Sequence, residues 1–222
     1  MKLYSGPLSM FGAKVQIAAI EKQLAFDLEM VPFNMQDGYS PKHPEVLRIN
    51  PKRQVPVLVD GDLEIFDSTQ IFEYFEDLRP SPALWPSTPR ERALARKLEH
   101  LSDEIFFPHI IRLMGLPRDP HNEKVAAEIE AGAQFYERME SLFNGNDFLA
   151  GDFSYADIAF YMAQLFGERW AVPMTAATPK LLAWRVRMSA RQSVRDVVRP
   201  MLLFLDTTGR PAPESFQILL AR

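Results

Sequence analysis

The sequence predicts an α/β domain followed by an all-α domain. Three observations carry that reading. Short strand-like runs alternate with helical periodicity over the first 80 residues. Three prolines then fall within the nine residues Arg79-Pro80-Ser81-Pro82-Ala83-Leu84-Trp85-Pro86-Ser87, a linker composition. Beyond them every apolar pattern repeats at the helical period. The predicted division is residues 1–80, a linker over 81–87, and a helical domain over 88–222.

Residues 2–5 and 27–32 read as strands, and residues 10–24 between them carry Val15, Ala18 and Ala19 on one side of a helix. A strand–helix–strand unit makes the two strands parallel. A polar stretch runs from Asn34 to His43, and a short helix covers 43–49. Val55–Val59 reads as a strand, Asp60-Gly61 as a two-residue hairpin turn, and Leu63–Phe66 as the return strand. Pro56 cannot donate to a ladder, and a cis Val55–Pro56 bond at the strand start accounts for it. A helix follows over 68–77, with Asp67 as its N-cap, Gln70 at the third position, and Phe66 and Ile71 as a hydrophobic staple.

In the second domain, Leu94, Leu98, Leu101 and Ile105 share one helix face, and Pro108 should kink or end that helix. Val125, Ile129, Tyr136, Met139 and Phe143 make a second face, with Gly132 on the same row. That glycine weakens the helix unless a neighbour packs closely against it. Residues 155–170 form a third helix, opened by Ser154 and Asp157 in a near capping-box pattern. Two more helices fit 181–188 and 194–203.

The 222 residues carry a net charge of −4, so nucleic acid and anionic membranes are not expected partners. No apolar run is long enough to span a bilayer, and the N-terminus does not read as a signal peptide. A cytoplasmic location is expected. There are no cysteines, which excludes disulfides and any cysteine nucleophile. The four histidines, at 43, 100, 109 and 121, show no metal-ligand spacing. No phosphate-binding glycine loop, dinucleotide fingerprint or Gly-x-Ser-x-Gly elbow is present.

Gln54-Val55-Pro56-Val57-Leu58, then Asp60-Gly61, then Asp67-Ser68, resembles the glutathione-binding segment of the cytosolic glutathione transferase superfamily. Gly151-Asp152-Phe153-Ser154-Tyr155-Ala156-Asp157 resembles that family's second-domain capping motif. The resemblance spans nearly the whole chain. It implies an N-terminal thioredoxin-like βαβ-ββα domain and an all-helical second domain. It also implies glutathione as co-substrate, a small hydrophobic electrophile as the other substrate, and a homodimer.

The resemblance assigns glutathione contacts to Gln54, Val55, Pro56, Asp67 and Ser68. A cis proline leaves the Val55 N–H and C=O available to an extended peptide, and the helix N-terminus at Ser68 suits a carboxylate. Gln54 stands where many relatives carry lysine; Arg53 or Lys52 is the alternative cation for the glycyl carboxylate.

Glutathione's thiol resembles free cysteine, near pKa 8.5, and the thiolate is the nucleophile. A hydroxyl donating to sulfur, aided by a helix N-terminus, favours the thiolate. The candidates are Tyr4, Ser5 and Ser9. Leu3-Tyr4 followed by Ser9 has the spacing of the Ser-type, theta-like members, so Ser9 is the assigned catalytic hydroxyl and Ser5 the alternative. Met10 and Phe11 depart from the family's pattern and make the loop apolar.

The electrophile pocket is expected between the two domains, lined by Met10, Phe11, Phe106, Phe107, Ile110 and Leu113, with Phe166 nearby. His109 and Arg112 read first as surface or satisfied core residues, with orientation of a polar substrate as the alternative role. Two other functions stay open: a non-catalytic protein that holds glutathione or apolar ligands, and a protein-interaction module of transferase fold.

Overall fold

The computed structural model describes residues 1–40, 42–143 and 145–220. They group into two compact units. The first holds Met1–Leu84 together with Gln192–Ala212 and the described residues from Gln217 on. The second holds Trp85–Arg191 and Pro213–Phe216.

The first unit is built on a four-stranded sheet of order β2-β1-β3-β4, from β1 (Lys2–Ser5), β2 (Asp27–Met30), β3 (Val57–Asp60) and β4 (Leu63–Phe66). β1 runs parallel to β2 and antiparallel to β3, and β3 and β4 form the hairpin at Asp60-Gly61. Gly61 takes φ +62, which this turn requires. Alternation along the strands separates two apolar clusters. Leu3 and Leu58 pack with Val15 and Ala19 of α1 (Met10–Glu21) and Ile71 and Phe75 of α3 (Ser68–Leu78). Tyr4 and Val57 face the other way, towards Val46 of α2 (Pro44–Ile49). Phe66 joins this second cluster and Ile71 the first, so the two residues read as a staple serve different faces.

Lys22, at the end of α1, has no exposed surface. Its ammonium lies 2.6 Å from Glu76 of α3 and 2.9 Å from the Pro82 carbonyl. Glu76 also accepts from the Leu84 N–H at 3.1 Å. One buried ion pair thus ties α1, α3 and the proline-rich segment together.

The expected helix over 194–203 is longer, α9 (Gln192–Thr207), and carries Pro200 inside it. The sequence division puts it with the helical domain, whereas it groups with the first unit and packs along α1. An amphipathic pattern announces a buried face but not the partner that buries it.

The second unit begins with α4 (Pro89–His100), which passes through one π-type turn, Leu101–Phe106, into α5 (Phe107–Gly115). The helix therefore runs on through Pro108. A proline lacks the N–H its helix turn needs, and the wider turn just before it, closed by Phe107 N–H onto the Ser102 carbonyl, absorbs the mismatch. α6 (Glu123–Leu142) and α7 (Tyr155–Arg169) follow, then α8 (Pro179–Ala190) and the first half of a 3₁₀ turn over Glu214–Leu219. Gly132 in α6 is explained by contact: a Cβ there would lie 2.5 Å from Val172 Cγ1.

The start of α7 is held by a buried carboxylate. Asp157 is fully buried, and its two carboxylate oxygens accept four bonds. Oδ1 takes the Leu149 N–H and the Trp184 Nε1–H, both at 2.9 Å. Oδ2 takes the Ser154 N–H at 2.9 Å and the Ser154 hydroxyl at 3.0 Å. Burial pushes its pKa up to about 6, against the pull of those bonds.

Candidate functional site

The turn between β1 and α1 carries the two candidate serines. Ser5 closes β1 and is fully buried, and its Oγ accepts from Gln16 Nε2 at 2.8 Å. Ser9 is the N-cap of α1, with extended backbone at φ −98, ψ 113. Its Oγ accepts from the Gly12 N–H at 3.0 Å. That bond uses an oxygen lone pair and leaves the hydroxyl proton to donate elsewhere. Gly12 is needed here, because a Cβ would overlap Ser5 Oγ and stand 3.1 Å from Ser9 Oγ. Tyr4 points into the α2-facing cluster. Met10 is buried, and Phe11 is half-buried with Lys14 Nζ 5.3 Å from its ring centre.

The second part of the site lies across α2, β3 and α3. The Val55–Pro56 bond is cis. No hydrogen bond to the Val55 N–H or C=O is found among the described residues. Asn50, almost fully buried, shapes the approach: its Nδ2 donates to the Gln54 carbonyl at 2.6 Å and its Oδ1 accepts from the Lys52 N–H at 2.9 Å. Arg53 takes φ +57, and Arg53 and Gln54 are exposed. Asp67 caps α3, its Oδ1 accepting from the Thr69 N–H at 3.0 Å. It does so at φ +77, a conformation that costs a non-glycine residue on the order of 1–3 kcal/mol. Lys52 Nζ lies 3.9 Å from Asp67 Oδ2, and Ser68 is buried beside it at the first position of α3.

An apolar groove of about 470 Å³ lies within the first unit, lined by Gly6, Pro7, Met30, Phe33, Pro200 and Phe204 among others. Phe33 meets Phe204 of α9 at 6.0 Å and Tyr39 at 4.7 Å between ring centres. The Tyr39 hydroxyl accepts from the Leu8 N–H at 3.1 Å, so the β2–α2 loop braces the turn ahead of Ser9.

The remaining residues expected to line a pocket lie in the second unit. Phe106 is fully buried, 5.0 Å from the Phe135 ring and 5.1 Å from that of Tyr136, a packing role. Phe107, buried, meets Phe166 at 5.8 Å, and Ile110 is fully buried. Leu113 borders a separate cavity beside Trp170. His109 and Arg112 both engage Glu128, at 2.5 and 2.6 Å, and hold its carboxyl below the usual range, Arg112 contributing most.

Gln16, Tyr39, Asn50 and α9 are features of the site that sequence reading missed. Asn50-Pro51 is a turn signal that pointed to the loop but not to the side chain's bonds. Among the described residues, no cluster of three or more His, Asp or Glu could hold a metal, and no helix is long and apolar enough to cross a membrane.

The order β1-α1-β2-α2-β3-β4-α3, with a cis Val55–Pro56 bond just before β3 and a serine cap on α1, is a thioredoxin-like arrangement. Comparison with known proteins agrees. The glutathione S-transferase N-terminal domain family matches residues 3–83, and the glutathione S-transferase C-terminal domain family matches residues 100–192. Glutathione S-transferase F10 of Arabidopsis thaliana is 30% identical over 206 residues, covering 86% of this chain and 93% of that one. A stringent starvation protein A homolog of Coxiella burnetii is 33% identical over 128 residues, 56% of this chain and 57% of that protein. The theta class glutathione S-transferase of Xanthomonas axonopodis pv. citri, solved with glutathione bound, superposes with a TM-score of 0.73 at 25% identity, covering 89% of this chain and 96% of that one. The chain belongs to the glutathione S-transferase family, whose members are transferases using glutathione as co-substrate.

Proposed function

We propose that this protein conjugates glutathione to a hydrophobic electrophile, with Ser9 stabilising the thiolate. The observation that carries the reading is the state of the Ser9 hydroxyl. Its oxygen accepts from the Gly12 N–H, so its proton is available to sulfur at the N-terminus of α1. Lowering a thiol pKa by about two units needs roughly 2.7 kcal/mol of differential stabilisation. One charge-assisted hydrogen bond and a helix end supply that order of energy. Ser5 is the weaker candidate, being fully buried and bonded to Gln16.

In this reading glutathione's backbone pairs with the Val55 N–H and C=O. Its γ-glutamyl carboxylate meets Ser68 and the N-terminus of α3, with Asp67 and Lys52 alongside, and its glycyl carboxylate meets Gln54 or Arg53. The electrophile occupies the groove beside Pro7, Phe33 and α9. The protein acts as a homodimer in the cytoplasm.

The groove is tested by filling it. Met201 of α9 also lines the groove, and Met201→Trp should raise KM for an apolar electrophile several-fold and leave KM for glutathione unchanged. An unchanged electrophile KM would remove the groove from the account.

A further inference from the structure

The apolar groove of the first unit has one polar side chain among its described lining residues. Ten of those residues are glycine, proline, valine, methionine or phenylalanine, and the eleventh is Gln16 of α1. None of them is charged. Gln16 is 5% exposed, and its Nε2 donates to Ser5 Oγ at 2.8 Å and to the Gly12 carbonyl at 3.4 Å. A carbonyl only accepts, so the Gly12 bond fixes which end of the amide is the nitrogen. Ser5 directly precedes Gly6 and Pro7, two of the lining residues, so the amide is anchored at the wall of the groove.

The oxygen of that amide is not used in the same way. Gln16 Oε1 accepts no hydrogen bond from the described residues. It also differs from the amide of Gln164 in α7, both of whose polar atoms are enclosed without a partner among the described residues. Gln16 Oε1 keeps some surface, and the small exposure of this residue lies where it lines the groove. An acceptor in such a place is satisfied by water while the groove is wet. It is penalised once an apolar body drives that water out, unless the body brings a donor.

We propose that Gln16 Oε1 selects the second substrate, an uncharged apolar electrophile that carries a hydroxyl or N–H donor. This rests on the reading that the groove holds the electrophile. The apolar walls, with Phe33 and Phe204 among them, take an aryl body, and the ligand's donor reaches Oε1. A ligand of similar shape without the donor leaves Oε1 facing carbon, which weakens it. A carboxylate finds no cation on the lining, and Gln16 Nε2 is already engaged. Aryl enones fit this class. The thiolate sulfur bonds to the β-carbon, the double-bond electrons move towards the carbonyl, and the α-carbon takes a proton, so no leaving group has to exit the groove.

The test uses the full chain and three para-substituted benzylacetones, saturated ketones that cannot react, bearing a hydroxymethyl group, its methyl ether or a carboxylate. Isothermal titration calorimetry in the presence of S-methylglutathione should show the alcohol binding about tenfold or more tighter than the ether, with the carboxylate weaker than the alcohol. In Gln16→Leu the ratio of alcohol to ether affinity should fall to about one. The matching benzylideneacetones, followed by loss of enone absorbance, should show the same preference in kcat/KM. Equal affinity for alcohol and ether, no binding of the alcohol, a carboxylate as tight as the alcohol, or an undiminished preference in Gln16→Leu would each overturn the proposal. Where Gln16→Leu does not fold, the wild-type ratios decide. Turnover of both enones without preference removes Gln16 from the selection and leaves conjugation standing. A binding preference with no turnover keeps Gln16 and counts against conjugation.

Discussion

Removing the Asp157 carboxylate tests how the second unit is held. In Asp157→Ala the Leu149, Ser154 and Trp184 N–H groups all lose their acceptor in a fully buried place. Each stranded donor costs about 1–3 kcal/mol, so the gross loss is roughly 3–9 kcal/mol; the Ser154 hydroxyl can turn to another acceptor. An opposing contribution depends on pH. The folded-state pKa of about 6 lies above the ordinary 3.8, so ionising Asp157 destabilises the fold as pH rises through that window. At neutral pH that penalty amounts to about 3 kcal/mol, and the variant escapes it. The net destabilisation should then be about 3 kcal/mol at pH 7 and larger in acid, by about 2 kcal/mol at pH 4.5. Urea unfolding followed by tryptophan fluorescence, on both proteins from pH 4.5 to 7.5, measures the gap. A gap that stays constant or narrows towards acid would refute the reasoning.

Four further variants follow from buried contacts and from one left-handed residue. Glu76→Ala leaves the Lys22 ammonium buried without its carboxylate and should cost about 3–5 kcal/mol in chemical denaturation. The paired replacement Lys22→Met with Glu76→Leu should restore most of that loss. Ala171→Gly relieves φ +63 and should stabilise the protein by about 0.5–1 kcal/mol, read as a rise in Tm. Gly12→Ala drives a methyl into Ser5 Oγ, which Gln16 holds in place; it should lower stability by about 1–3 kcal/mol despite alanine's better helix propensity.

Elements whose signals are local were legible in the sequence. The Asp60-Gly61 hairpin, the Asp67 and Ser154 caps and the cis Val55–Pro56 bond each rest on a few adjacent residues, and all are present in the fold. Features that depend on a distant partner were not. The helix over 192–207 advertised an apolar face, yet nothing along it says that α1 takes that face rather than the helical unit. Phe106 and Phe11 look alike as aromatics in apolar stretches, and only packing distinguishes a residue enclosed by Phe135, Tyr136 and Phe160 from a half-buried one. Tyr39 and Asn50 lie in polar loops with no period, and their importance comes from hydrogen bonds to Leu8, Gln54 and Lys52. Pro108 foretold a disturbance, and its form, a widened turn ahead of it, depended on what the neighbouring helices accept.

The most direct test of the central claim is the thiol pKa of bound glutathione. It is read from ultraviolet thiolate absorbance across pH in the wild-type protein and in Ser9→Ala. The account predicts a pKa roughly two units below that of the free thiol in the wild type, with most of the fall lost in the variant while glutathione still binds. An undiminished fall in Ser9→Ala, or no fall in the wild type, would contradict it.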